Sequence, residues 1–125
     1  MTLNFKSFMT FNSLVLIIFG IGFILMPATM IATYGGELSP LGLQIAQLLG
    51  AAFLGFGVLR WTARNEKSSV LLSSLVLAAL VEDAIGFVIV LKAQFAGLTN
   101  SLGWSNVLLY GFFALGFGYF HFKKD

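Results

Sequence analysis

The chain has 125 residues, of which 58% are hydrophobic and 10% are charged, and its mean hydropathy is +0.95. A soluble domain carries about 25% charged residues, so this composition excludes an ordinary soluble fold and predicts a single domain, residues 1–125, that is solvated by lipid. The absence of cysteine excludes thiolate catalysis and Cys-based metal sites, and the single histidine excludes a bis-His haem within one chain.

Four apolar segments are long enough to cross a bilayer, which takes about 20 helical residues. They cover about residues 8–26, 41–61, 69–91 and 102–122. Pro27 ends the first segment, and Ser39-Pro40 is a typical helix start for the second. The first segment is long for the core of a signal peptide, so we expect a retained helix. The sequence therefore predicts an all-α, integral membrane four-helix bundle.

The basic residues predict the orientation of these spans. Six of them lie at one set of ends and only Lys92 lies at the other; the six are Lys6, Arg60, Arg64, Lys67, Lys123 and Lys124. Because Lys and Arg are in excess in cytoplasmic flanks, both termini are predicted to be cytoplasmic in an inner (plasma) membrane protein. Arg60 and Arg64 are predicted to extend toward the headgroups, and binding of an anionic lipid headgroup is the functional alternative.

The second and fourth spans resemble each other at an offset of 61 residues. Leu41-Gly42 matches Leu102-Gly103, Gly50 matches Gly111, and Leu54–Gly57 matches Leu115–Gly118. This predicts a parallel repeat of two helical hairpins related by an axis along the membrane normal. A shared bias toward Gly, Phe and Leu is the alternative explanation.

Glu82 and Asp83 lie side by side in the middle of the third span. A carboxylate at this depth costs about 2.5–3.5 kcal/mol on insertion scales, so it usually has a function or a partner. On a helical wheel both acids share a face with small residues, and the bulky residues lie opposite. The small set is Ser74, Ala78, Ala79 and Gly86, and the bulky set includes Val76, Leu80 and Phe87. We expect Glu82 to face a cavity and Asp83, at the edge of this face, to make a helix or subunit contact.

Other polar residues are predicted at a similar depth. Gln44 and Gln47 lie in the outer half of the second span, and Asn106 and Tyr110 lie in that of the fourth. Together with Glu82 and Asp83 they would line a pocket that binds a ligand, a proton or a cation. Interhelical hydrogen bonding, worth about 0.6 kcal/mol per bond, is the favoured alternative for the amides, whereas both readings stay open for the acids. Asn12-Ser13 is expected to form a helix-contact hydrogen bond.

The stretch Leu41-Gly-Leu-Gln-Ile-Ala-Gln-Leu-Leu-Gly50, continuing to Arg60-Trp-Thr-Ala-Arg64, resembles small bacterial four-helix membrane proteins of the DoxX-like kind. More distantly, it resembles the four-span scaffold protein of eukaryotic sterol synthesis. The resemblance covers the second and third spans best and implies an accessory or scaffold role. The small multidrug transporters are similar in size, but their essential glutamate lies in the first span, where this chain has no acid.

Three functions follow from these features. The first is a non-enzymatic membrane protein that binds a hydrophobic small molecule, a lipid or a partner membrane protein. The second is a proton- or cation-coupled small transporter that uses Glu82 or Asp83. The third is a membrane enzyme that acts on a lipid or sterol with Glu82 or Asp83 as general acid or base. It ranks last, because the sequence has no nucleophile–base pair and no metal-ligand set. No cofactor and no nucleic-acid partner is expected. A homo-oligomer or a larger membrane complex is a possible assembly, because four short helices enclose little volume alone.

Overall fold

A computed structural model describes residues 4–123, so Lys124 and its predicted role in orientation lie outside the described residues. The described residues form five helices and no strand, which confirms the all-α prediction. The helices are α1 (Phe5–Leu25), α2 (Pro27–Thr33), α3 (Pro40–Ala63), α4 (Val70–Phe95) and α5 (Gly103–Phe122).

Three of these helices, α1, α3 and α4, are long and apolar enough to cross a membrane, which confirms three of the four predicted spans. A helix of 20 residues also forms at the fourth predicted position, but α5 is not among the membrane-crossing candidates. Asn106, Tyr110 and His121, together with four glycines, lower its hydropathy. By length and composition the described residues therefore give three candidate spans and not the predicted four, and a crossing by α5 stays a prediction.

Local hydrogen bonds explain where the helices begin and end. The side chains of Asn4, Ser39 and Ser69 each accept a hydrogen bond from a backbone N–H three residues on, which is the usual N-cap arrangement. Pro27 has no N–H to continue α1, so a new helix begins there. Gly97 follows α4 at a φ of +74°, and Leu98 N–H donates to the Ala93 carbonyl, as in a Schellman motif.

The chain divides into two compact units, and the first comprises Asn4–Asn65. In this unit α1 packs antiparallel to α3 through glycines. A Cβ on Gly20 would lie 2.8 Å from the carbonyl oxygen of Gly50, and a Cβ on Gly57 would lie 3.1 Å from the carbonyl oxygen of Ser13. The two backbones therefore touch directly, as small residues allow in membrane helix pairs. The short α2 folds back on α1, where Met30 Sδ occupies the space beside Gly22.

The second unit contains α4 and α5, which form an antiparallel hairpin. Its contacts follow most of α5 and the C-terminal part of α4. The Phe95 and Trp104 rings meet edge to face at 5.7 Å, Phe87 packs on Gly111, and Leu80 reaches Gly118. The predicted single domain stays a prediction. Each unit contains one copy of the predicted repeat, in α3 of the first unit and in α5 of the second.

Candidate functional site

The two acids of α4 differ in burial: the buried position of Asp83 is compatible with the helix contact predicted for it, and the cavity predicted beside Glu82 stays a prediction. Asp83 is only 4% exposed, whereas Glu82 is half-buried. The buried stripe of α4 consists of Val76, Ala79 and Asp83. The wheel assigned Val76 to the lipid face and Ser74 and Ala78 to the inner face, yet Val76 is buried and the other two are exposed. That assignment is wrong because side-chain size was its only guide, whereas burial depends on where the neighbouring helices lie.

Gly86 brings Tyr110 of α5 close to the acidic pair. A Cβ on Gly86 would lie 2.5 Å from Cδ1 of Tyr110, so the absence of a side chain there allows the ring to sit directly on α4. Gly86 follows Asp83 by about one helical turn, and both carboxylates interact electrostatically with the tyrosine hydroxyl. The α4–α5 unit thus brings together three of the predicted site residues, Glu82, Asp83 and Tyr110.

Asn106 belongs to the same face of the same unit. It precedes Tyr110 by one turn of α5 and is half-buried. The polar residues around this contact therefore include two acids on α4 and an amide and a phenol on α5. Such a set can exchange a proton or neutralise a cation, because it contains both acceptors and donors.

The two glutamines belong to the other unit, and the structure gives Gln47 a structural contact. Its Nε2 donates to the carbonyl oxygen of Ile24 at 3.0 Å. Ile24 lies in the last turn of α1, where carbonyl groups lack helical donors and Pro27 cannot supply one. Gln47 therefore stabilises the end of α1. Gln44 is exposed, and a pocket joining the glutamines to the α4–α5 residues stays a prediction.

A buried polar cluster lies at the α1–α3 contact. Asn12 is 1% exposed, Ser13 is 0% exposed and Arg60 is 4% exposed. Arg60 Nη1 donates to Asn12 Oδ1 at 2.8 Å, and its guanidinium also lies 5.9 Å from the Phe56 ring centroid. The predicted helix-contact role of Asn12 is confirmed. Its partner Arg60 was expected at the headgroups instead; the matching depths of the two residues on antiparallel helices could have indicated the pair.

Arg64, one turn beyond Arg60, has a different environment. It is half-buried at the C-cap of α3, its Nη1 donates to the carbonyl oxygen of Trp61 at 2.6 Å, and its guanidinium lies 3.6 Å above the Trp61 ring. The predicted pair of headgroup-directed arginines is thus separated into one inward-facing residue and one at the helix end. A lipid-binding role stays a prediction, and the geometry favours Arg64 for it.

The described residues contain no group of three or more His, Cys, Asp or Glu side chains that could hold a metal ion. Comparison with family models, with curated proteins and with solved structures finds no match to this chain. The resemblance to DoxX-like proteins therefore stays a prediction. What can be said of function rests on the chemistry of the residues described above.

Proposed function

We propose that this chain is a small, non-enzymatic protein of the inner membrane that binds a hydrophobic ligand or a partner membrane protein as an accessory or scaffold subunit. One observation carries the proposal. Glu82 keeps accessible surface at the middle of an apolar helix of 26 residues, beside the buried Asp83. Hydrocarbon solvates a carboxyl group poorly, so carboxyl groups at this depth mark a candidate contact with a polar group of a ligand or of a partner helix.

The packing of α5 supports a fourth crossing. Contacts between α4 and α5 extend from Phe95–Trp104 to Leu80–Gly118, so α5 lies along the C-terminal part of α4, at the depth of the acidic pair. A helix of 20 residues is about 30 Å long, which matches the hydrocarbon thickness. If α4 crosses the membrane, α5 crosses with it, and the excess of basic residues then places both termini in the cytoplasm.

Single cysteines test this topology cleanly, because the chain has none of its own. Cysteines replacing Ser7, Asn65 and Lys123 should react with a membrane-impermeant maleimide only after the membrane is opened. Cysteines replacing Glu37 and Asn100 should react in intact cells. Labelling of Lys123→Cys and Ser7→Cys from opposite sides would contradict the fourth crossing.

Binding is tested by extracting the protein with its surrounding lipid and analysing it by native mass spectrometry. We expect a co-purifying hydrophobic molecule or membrane protein with the wild type and its loss with Glu82→Gln. Glu66→Gln is the matched control, because it removes the same charge from an exposed residue outside the helices. Absence of any ligand or partner from the wild type, or equal retention by Glu82→Gln, would contradict the proposal.

Proton- or cation-coupled transport is the second candidate, and the burial of Asp83 beside Tyr110 favours it. A carboxylate at mid-depth is typical of proton relays in membrane transporters. The test is flux of protons or of a monovalent cation into vesicles that contain the purified protein. Under this candidate Asp83→Asn abolishes the flux and Glu66→Gln does not, whereas equal flux with Asp83→Asn would eliminate it.

A further inference from the structure

The two arginines at the end of α3 differ in what their guanidinium groups can still bind. Arg60 is buried and donates to Asn12. Arg64 keeps accessible surface, and within the described part of the chain Nη1 is the guanidinium nitrogen engaged in a hydrogen bond. Its Cζ lies over the indole of Trp61, 3.6 Å from the ring centroid. The stack orients Arg64 while it leaves most of the N–H groups of the fork accessible.

The position of this stack corresponds to the depth of lipid headgroups. Trp61 lies in the last turn of α3 and is 38% exposed, and tryptophan is enriched at the membrane–water interface. Lys6, exposed in the first turn of α1, lies at the same end of this antiparallel pair. This end of the α1–α3 pair therefore carries an interfacial aromatic ring, a guanidinium that lies over it and a second positive charge.

We infer that Trp61 and Arg64 form a binding site for the phosphate of an anionic phospholipid headgroup. A guanidinium supported on an aromatic face presents parallel N–H donors, which match two phosphate oxygens. A lysine at the same position would attract anionic lipid only as a point charge. The inference goes beyond the proposed function, because it concerns α3 and not the acids of α4.

The test measures which lipids accompany the full-length protein in nanodiscs made of phosphatidylcholine with a minor fraction of phosphatidylglycerol. Native mass spectrometry gives the enrichment of the anionic lipid on the protein. One basic charge near a charged membrane surface accounts for about a fivefold enrichment, so we expect Arg64→Gln, which also removes the oriented fork, to reduce the enrichment by more than that. Arg64→Lys and Trp61→Leu should each lose the additional part, because each removes the oriented stack and keeps a positive charge at or beside the site.

Lys92→Gln is the matched control, since it removes one positive charge from the last turn of α4, and it should reduce the enrichment by no more than the roughly fivefold effect of a single charge. The inference is overturned if Arg64→Lys retains the wild-type enrichment, because charge alone would then explain it. It is also overturned if the protein, in nanodiscs of phosphatidylcholine alone, binds soluble glycerol phosphate as well as it binds phosphatidylglycerol, because the site would then recognise free phosphate and not a lipid. Arg64→Lys keeps the charge at a half-exposed position, so this variant should fold even if Trp61→Leu does not. The helicity of both variants is the check on folding.

Discussion

Replacing Asn12 by alanine removes the acceptor that Arg60 uses inside the α1–α3 contact. A hydrogen bond to a charged group contributes about 1.5–3 kcal/mol in soluble proteins. Polar contacts between membrane helices average only about 0.6 kcal/mol, with a maximum near 1.7. Because the donor is charged, the bond is 2.8 Å long and both side chains are almost fully buried, we expect the upper end of the membrane range, about 1.5 kcal/mol.

The assay is a double-mutant cycle with Asn12→Ala and Arg60→Met, measured by reversible unfolding in lipid–detergent bicelles. The cycle separates the pair from whatever else each residue contacts. Asn65→Ala, at an exposed position after α3, is the control and should change the free energy of unfolding by less than about 0.5 kcal/mol. A coupling energy below about 0.5 kcal/mol would refute the reasoning, because the bond would then add nothing beyond independent packing.

Four further predictions concern glycines. Gly50→Ala should destabilise the first unit by about 2–3 kcal/mol in the same unfolding assay, because the new Cβ would lie 2.7 Å from the backbone oxygen of Gly20. Gly55→Ala, which meets no atom within 4 Å, should be neutral or stabilising by up to about 1 kcal/mol. Gly86→Ala should lower the thermal stability of the α4–α5 unit, and adding Tyr110→Ala should recover part of the loss, since the clash is with the tyrosine ring. Gly97→Ala should cost about 1 kcal/mol, because Gly97 has a φ of +74° and ends α4, whereas Gly97→Asn should cost less.

Each glycine prediction has an outcome that contradicts it. Equal stability of Gly50→Ala and Gly55→Ala would mean that α1 and α3 do not touch backbone to backbone. If adding Tyr110→Ala does not raise the stability of the Gly86→Ala protein, the Tyr110 ring does not pack on α4 at Gly86. Unchanged stability of Gly97→Ala would exclude a left-handed backbone at that residue.

Much of the fold could be predicted because helix boundaries depend on neighbouring residues. Ser39 with Pro40 marks the start of α3, and Pro27 marks the end of α1, and both signals act within one turn. The separate helix α2 was not predicted, because a segment of seven residues carries little periodic signal. The lower hydropathy of α5 can be read from its sequence, but its many phenylalanines make the segment resemble a membrane span.

The candidate site was harder to predict, because helical faces are assigned by packing. The sequence placed both acids on one half of α4, yet which acid is buried depended on the position of α5, where Tyr110 sits on Gly86. Likewise, nothing local to Gln47 indicates that its amide would bond to the end of α1. Contacts between residues that are distant in the chain cannot be derived from a single wheel.

The sequence by itself determined the apolar character that suits a lipid environment, the positions of the long helices and the candidate residues. Hydropathy, capping side chains and proline act through local chemistry, which is why the sequence is sufficient for these features. The tertiary structure decided how those residues are used. It turned Arg60 inward to Asn12, left Arg64 stacked on Trp61, and buried Asp83 more deeply than Glu82. The physical reason is that glycines at Gly20, Gly50 and Gly86 set how closely the helices approach, and only that approach determines which polar groups can meet.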